Sequence, residues 1–482
     1  MPFVDRMVDW AARDPDRDAV VIDGQRLSYA ELCRRAARLP LPEPAGGPRQ
    51  LVALDLGSTI DFVVAFTAVV GRGLVAAVLD PAWPPAVRSA ALEQLRPGTV
   101  ITTAGPAGAE MTPGTPAALA DGDPGREFYC GFTSGTTRTP KAFVRTVGSW
   151  QRSLERSTAW FGTAAGDRVL VPGPLSASLS LYALAECLYA GATFHGQTTP
   201  DTAAALDLLS GEALTQLVAV PSQLRMLGRR ARSPWRSLRS IVSGGAKLGG
   251  EEAAALRRLA PRAAVHEYYG ASELGFVAAR LAGPGAGPHL VGRPFPGVEL
   301  RIGPPDDGAA APGAEPGTGD PGPGTIWVRS DMVCLGYLAG DDGLSFRRQG
   351  QWATVGDYGW LDASGQLHVA GRSADMIVTG GFNVYPHEVE EVLRSAGCDA
   401  VVVGLPDGLR GRCVAAVIRS DGPPAFTAGT LRRLCGAGLA PFKVPRRFYW
   451  VREWARGPGG KTSRPALVRA IEAGDADVHV LG

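Results

Sequence analysis

From the N-terminus to about residue 300, short apolar runs ending at Gly or Pro alternate with Ala/Arg/Leu stretches of helical spacing. The runs are LVALDL, LVAAVLD, GTVITT, RVLVPG, QLVAVP and SIVSGG. Between them lie AELCRRAARL, FVVAFTAVVG, AVRSAALEQL, AAALDLLSGEAL, SQLRMLGRRA and EEAAALRRLA. A strand apolar along its whole length is covered on both faces, and parallel neighbours need a helical crossover to return the chain. The alternation therefore predicts an α/β fold: a large N-terminal region of stacked, mostly parallel α/β sheets.

The pattern stops at residues 303–324, GPPDDGAAAPGAEPGTGDPGPG, which read as a Gly/Pro/Ala loop without periodicity. Short strands, TIWVRS and QLHVAG, follow it. From about residue 376 the chain reads as helix (PHEVEEVLRSA), strands (DAVVVGLP, CVAAVIRS), helix (AGTLRRLCGAGL) and strand (RRFYWV). That is a smaller α+β unit of ordinary domain size. The expected division is an N-terminal domain 1–371, a hinge 372–375 and a C-terminal domain 376–482.

Charge and cysteine content narrow the function classes. With 49 basic and 47 acidic residues the formal charge is +2, which offers no electrostatic attraction for nucleic acid or an anionic membrane. No apolar run reaches the ~20 residues of a membrane helix; Arg72 breaks the nearest one, Phe62 to Leu79. The opening MPFVDRMVDW has no apolar segment of the signal-peptide kind. Seven scattered cysteines without a CxxC or a Cys/His cluster point away from a disulfide framework or zinc site, and toward a reducing cytoplasm. Of the 49 basic residues only Lys141, Lys247, Lys443 and Lys461 are lysine, which leaves 45 arginines. In so Arg-biased a chain, each lysine is a candidate for a role that needs a compact ammonium.

The strongest local signal is Thr133-Ser134-Gly135-Thr136-Thr137-Arg138-Thr139-Pro140-Lys141. Such a loop, placed between the apolar run FYCGF and an expected helix, can offer successive N–H groups and hydroxyls to a polyphosphate, with Lys141 as counter-charge. It is not a Walker A loop: Pro140 stands in place of the Gly before Lys, and no hydroxyl residue follows. Glu273, in YYGASELG, is an acid on a Gly-containing turn suited to Mg²⁺, which is commonly held by one or two carboxylates and substrate phosphates. Ser272 beside it can hydrogen-bond an α-phosphate. Asp357 and Arg372 offer a carboxylate and a guanidinium to a sugar's hydroxyls. Gly317-x-Gly319-x-x-Gly322 fits a dinucleotide fingerprint formally, but it lies in the Pro/Gly loop with no strand before it. No GxSxG or HExxH occurs, and His387 is expected on a helix surface.

Residues 132–142 resemble the phosphate loop of the adenylate-forming superfamily: acyl-CoA synthetases, carrier-protein adenylation domains and beetle luciferases. Further motifs follow in that family's order. Ser243-Gly244-Gly245-Ala246 resembles its adenine-pocket turn, and Tyr269-Gly270-Ala271-Ser272-Glu273 its Tyr-Gly-x-Thr/Ser-Glu motif. Gly356-Asp357 with Gly371-Arg372 is similar to its ribose clamp. Gly380-Gly381-Phe382-Asn383-Val384-Tyr385 resembles the opening of its C-terminal domain, and Gly460-Lys461 with Arg464 its terminal Gly-Lys-x-x-Arg. The stretch 51–84, ending Asp80-Pro81-Ala82-Trp83-Pro84, has the same look. The ordered matches span residues 132–464.

The resemblance implies an ATP- and Mg²⁺-dependent ligase that converts a carboxylic acid to acyl-AMP and then loads a thiol, with coenzyme A as the first expectation. Thr133, Ser134, Gly135, Thr136, Thr137, Lys141, Gly244, Gly245, Ala246, Tyr269, Gly270, Asp357 and Arg372 would hold the nucleotide. Glu273 would hold the metal, and Lys461, Glu273 and Ser272 would be catalytic. Lys461 would meet the carboxylate, the α-phosphate and the bridging oxygen, carried by a mobile C-terminal domain. Rotation of that domain about the hinge would then bring in Gly380, Gly381 and Asn383 for thioester formation. By adjacency to these motifs, Ala177, Tyr182, Val220 and Tyr268 line the acyl pocket. Alternatives are transfer to a carrier-protein phosphopantetheine, transfer to an amine or N–N-forming acceptor, or a homologue that only binds nucleotide. An α-amino acid substrate is disfavoured, since Ser176-Ala177-Ser178 stands where an Asp would meet the amine. The chain departs from the family pattern at Arg138 and Ala142 in the loop, at Val355 before Gly-Asp, and at Ala374 in the hinge. Lys443 and Lys247 receive no role.

Overall fold

The computed structural model describes residues 2–42, 50–102, 105–108, 117–133, 140–211, 213–283, 287, 289–303, 324–372, 375–379, 382–408, 411–455 and 462–482. The chain forms two units. The first comprises Met1–Ala286, Val291–Glu299 and Val328–Ala353; the second comprises Gly287–Leu290, Leu300–Trp327 and Thr354–Gly482. The Gly/Pro/Ala loop lies, but for Gly303 and Gly324, outside the described residues.

In the first unit every expected strand is present. Leu51–Leu54 lies between Val75–Val78 and Thr99–Thr102, parallel to both, and Glu127–Thr133 joins parallel to Val75–Val78. Lys141–Thr146 and Gly336–Ala339 extend this sheet antiparallel. A second sheet carries a parallel run in the order Asp18–Ile22, Thr193–Gly196, Arg168–Leu170, Gln216–Ala219, Ser240–Ser243 and Ala264–Ala271. Gly275–Leu281 and Leu290–Pro294 then continue antiparallel. All four residues are buried in each of Leu51–Leu54, Val75–Val78, Gln216–Ala219 and Ser240–Ser243, as strands covered on both faces require. Buried Gln216 is tolerated because its amide meets Thr163 Oγ1 at 3.1 Å and Ser240 Oγ at 3.3 Å.

Two helices central to the site begin and end where backbone chemistry dictates. Val147–Phe161 starts under Thr146, whose hydroxyl accepts from Ser149 N, and stops at left-handed Gly162. Ser178–Ala190 stops the same way at Gly191. In the second unit, Ala400–Asp407 and Gly411–Arg419 pair antiparallel and Arg447–Val451 adds parallel. Helices Pro386–Ser395 and Ala428–Gly438 supply one apolar core, and Arg464–Ala473 packs into another. The α/β reading of the first unit and the α+β reading of the C-terminal region both hold. Among the described residues no helix is long and apolar enough to cross a membrane.

Candidate active site

Thr133 and Lys141 are register partners on antiparallel strands, so the phosphate-loop segment closes a hairpin. This corrects the expected strand-to-helix placement. AFVRT forms an inner strand, paired with Glu127–Thr133 on one side and Gly336–Ala339 on the other, and the helix starts only at Val147. Ser134, Gly135, Thr136, Thr137 and Arg138 lie outside the described residues. Lys141 is buried. Its ammonium pairs with Asp342 and Ser345 Oγ and stands 5.8 Å from the Tyr337 ring centroid. Burial opposes ionisation of Asp342. Lys141 and the N–H groups of Ser345 and Leu344 nevertheless hold its carboxyl below the usual range.

Glu273 projects from the tight turn between Ala264–Ala271 and Gly275–Leu281. A Cβ on Gly270 would stand 2.4 Å from the Gly275 carbonyl oxygen, and Gly275 has φ +77°, so both glycines are needed to close it. Glu273 is buried. Its Oε1 accepts from the Tyr337 hydroxyl at 2.6 Å, and its carbonyl accepts from Cys334 N at 2.7 Å. Tyr337 also hydrogen-bonds the Thr133 side chain, which ties the phosphate-loop hairpin to the acid. Burial, then the charge of Glu273, push the Tyr337 phenol far above its ordinary value. Arg145 lies buried nearby, donating to the Met332 carbonyl; burial lowers its pKa, and neighbours including Glu273 oppose that. Sequence reasoning missed Tyr337, Asp342 and Arg145.

Ser272 Oγ donates to Ser178 Oγ at 3.0 Å, which joins the turn to the helix Ser178–Ala190. Four helical residues on from Ser178, the Tyr182 hydroxyl reaches Ser153 Oγ at 2.9 Å and Ser157 Oγ at 2.8 Å. The Tyr182 and Tyr268 rings flank Phe276, with centroids 5.2 and 4.7 Å from it. Tyr268 also crosses Gly244, where a Cβ would meet its Cζ at 2.2 Å. Val220 Cγ1 would lie 3.5 Å from a Cβ on Gly245, while Ala177, Gly245 and Ala246 are exposed. Tyr269 and Gly270 are half-buried at the end of the same strand. The structure thus gathers Gly244, Tyr268, Tyr182 and Ser272 around the two helices and the turn.

Lys247 has a structural partner that the sequence did not disclose. The Glu267 carboxylate accepts from Lys247 Nζ at 3.0 Å, Leu248 N at 2.8 Å and Arg280 Nε at 2.8 Å. It anchors the residues just after Gly244-Gly245-Ala246 to the strand that leads to Glu273.

In the second unit Asp357 and Arg372 are register partners on the antiparallel strands Asp357–Leu361 and Leu367–Arg372, and Asp357 is buried. Arg464 is occupied within the unit, by Asp375 at 3.0 Å, Glu390 at 2.7 Å and the Val402 carbonyl at 3.2 Å. Lys443 pairs with Glu388. His387 is half-buried, its ring centroid 6.2 Å from that of His289, rather than on the surface. Asn383 lies in the strand Phe382–Val384. Lys461, Gly380, Gly381 and Ala374 lie outside the described residues.

The donor set fits Mg²⁺ rather than a metal with an all-protein shell. Glu273 is one buried carboxylate with Tyr337 on a single oxygen, and the described residues contain no cluster of three or more His, Cys, Asp or Glu groups.

A family model for AMP-binding enzymes matches residues 7–338. The chain belongs to the AMP-binding enzyme family. It is 30% identical to an uncharacterized acyl-CoA ligase, YhfT, of Bacillus subtilis, across 96% of this chain and 97% of that one. It is also 30% identical to a 2-succinylbenzoate-CoA ligase of a Geobacillus species, across 70% of this chain and 68% of the relative. Among solved structures, ATP-bound MatB of Rhodopseudomonas palustris superposes with TM-score 0.81 at 22% identity, covering 97% of this chain and 98% of that one. The family's fold is thus present along nearly the whole chain.

Proposed function

We propose that the protein is an ATP- and Mg²⁺-dependent acid–thiol ligase of the acyl-CoA synthetase type. In the first step a carboxylate oxygen attacks the α-phosphorus of ATP, the bond to the β-phosphate oxygen breaks, and pyrophosphate leaves. In the second the sulfur of coenzyme A attacks the acyl carbon, the acyl–phosphate bond breaks, AMP leaves, and the thiol proton passes to solvent. The observation that carries the reading is the Thr133–Tyr337–Glu273 linkage, which fixes a buried carboxylate against the hairpin of the phosphate loop. The relatives named as acyl-CoA ligases support it.

Within this reading Glu273 would hold Mg²⁺, which when bound would supply positive charge to the phosphates. Tyr337 fixes the Glu273 rotamer. Ser272 donates to the α-phosphate, and Lys141 with Ser134, Gly135, Thr136 and Thr137 serves the β- and γ-phosphates. Gly244, Gly245, Ala246, Tyr269 and Gly270 hold the adenine, and Asp357 with Arg372 the ribose. Ala177, Tyr182, Val220 and Tyr268 surround the acyl group; Gly380, Gly381 and Asn383 serve the thiol. Lys461 assists adenylation, and residues 372–375 form the hinge before a domain of residues 376–482. A reducing cytoplasm is the proposed location, in keeping with seven free cysteines, six of them buried.

Acid-dependent exchange of labelled pyrophosphate into ATP tests the first step. Mass spectrometry of products formed with coenzyme A, or with a phosphopantetheinyl carrier protein, tests the second. Absence of exchange with every acid in a broad panel overturns the reading.

A further inference from the structure

Among the described residues four glutamates are buried: Glu186, Glu267, Glu273 and Glu390. Three have a cation at hand. Glu267 holds Lys247 and Arg280, Glu390 holds Arg464, and Glu273 interacts with the charge of Arg145. Glu186 has none among the described residues; its hydrogen bond there comes from Ser157 Oγ. A buried carboxylate without a counter-charge is costly, so one that lines a site calls for a partner from outside.

Glu186 lies on a helix face that begins at the candidate active site. Ser178, Tyr182 and Glu186 are spaced four residues apart on the helix Ser178–Ala190 and so share one face. Ser178 touches Ser272 on the turn that bears Glu273. From there the stripe runs about 12 Å along the helix, at ~1.5 Å per residue, to Glu186. Tyr182 and Tyr268 are half-buried. Both phenols lie close enough to Glu186 that its charge, after burial, raises their pKa. Ser153 and Ser157 back the Tyr182 hydroxyl. This stripe is polar along its length, and an alkyl chain laid against it would leave hydroxyls and a carboxylate facing hydrocarbon.

We propose that Glu186 receives a cationic amine at the far end of the acid substrate, so that the preferred substrates are ω-amino or aminomethyl-aryl carboxylic acids rather than plain fatty acids. This rests on the adenylation reading above. The amine is distal because Ser176-Ala177-Ser178 offers no carboxylate to an α-amine.

The test compares ω-aminohexanoate with hexanoate, and para-(aminomethyl)benzoate with para-methylbenzoate, on the full-length wild type and Glu186→Gln. Calorimetric affinity and acid-dependent pyrophosphate exchange are both measured. The wild type should favour each amine-bearing acid by roughly 10-fold or more, the worth of one charge-assisted hydrogen bond. Glu186→Gln should erase that preference by raising KM for the amine-bearing acid, with KM for ATP unchanged. Equal or better use of the methyl-ended acids by the wild type overturns the proposal, whether or not the variant folds. So does an amine preference that survives in Glu186→Gln, or failure of both amine-bearing acids to bind. Glu186-dependent binding without exchange by any acid would keep this site and reject the adenylation reading. Exchange with methyl-ended acids alone would do the reverse.

Discussion

The Tyr337 hydroxyl donates to Glu273 Oε1 at 2.6 Å, across 64 positions of sequence. The same hydroxyl group bonds the Thr133 side chain, so one phenol couples the proposed metal ligand to the phosphate-loop hairpin. A carboxylate that must meet a metal and a polyphosphate at once gains from a fixed rotamer, because the ordering cost is met during folding rather than at each turnover.

Tyr337→Phe removes that hydroxyl and keeps the ring. A hydrogen bond to a charged group is worth about 1.5–3 kcal/mol, so kcat/KM for MgATP should fall roughly 10- to 150-fold. The thermal midpoint should fall as well, because the bond is already made in the folded protein without ligand. Steady-state kinetics at saturating acid gives the answer; parental kcat/KM would show that Tyr337 does not position Glu273.

Glu273→Gln removes one charge at nearly constant shape. The variant should fold as the parent does, since Gln can still accept from Tyr337, and should require more Mg²⁺ for pyrophosphate exchange. A Mg²⁺ titration at fixed ATP measures this. A parental rate at limiting Mg²⁺ would remove Glu273 as metal ligand.

Most of the α/β scaffold is legible in the chain because its parallel strands are buried on both faces and so read as continuous apolar runs. Leu51–Leu54 and Ser240–Ser243 are examples. What hides is whatever depends on pairing across long separations. AFVRT is too short to announce itself as an inner strand. The partner of Lys141, Asp342, lies 201 positions away. Nothing beside Lys247 in the chain points to its partner, Glu267, which belongs to a strand whose own register sets the contact. Glu186 reads as an ordinary polar position, because helix periodicity does not show that this helix is buried nearly all round.

The Glu267 cluster should matter to stability before activity. Glu267→Ala leaves Lys247 and Arg280 facing each other in a largely buried site. Breaking a buried ion pair from one side costs about 3–5 kcal/mol. Lys247→Met should cost clearly less, since Arg280 continues to neutralise the carboxylate. Denaturant midpoints of the two variants should rank in that order. The reverse ranking would show that Lys247, not Glu267, is the centre of the cluster.

Lys461 should act in one half-reaction only. Loss of one preorganised donor to a charge that develops in the transition state typically costs ~2.7–4 kcal/mol, about 10²–10³ in rate. Lys461→Ala should lose acyl-AMP formation by that factor, yet convert supplied acyl-AMP and thiol to thioester at close to the parental rate. Lys461→Arg should rescue little, since a planar guanidinium does not replace a compact ammonium at a three-way contact. Equal losses in both steps would give Lys461 a constant role and remove the case for a hinge at 372–375.

The uncompensated burial of Glu186 carries a stability signature of its own. Burial raises its carboxyl from 4.5 to about 7, with the Ser157 hydrogen bond opposing the shift. Between those values the folded chain retains a proton that the unfolded chain has released. Stability from this group is therefore fully present below about pH 4.5 and declines as pH rises through 7. A rise of that size corresponds to roughly 3 kcal/mol at the alkaline end of the window. Glu186→Gln removes the ionisation and keeps an acceptor for Ser157. The variant should match the parent near pH 5 and exceed it by something approaching that amount near pH 8, measured by denaturant unfolding without ligand. A gap that stays constant with pH would mean that Glu186 titrates normally, through a counter-charge that the described residues do not include.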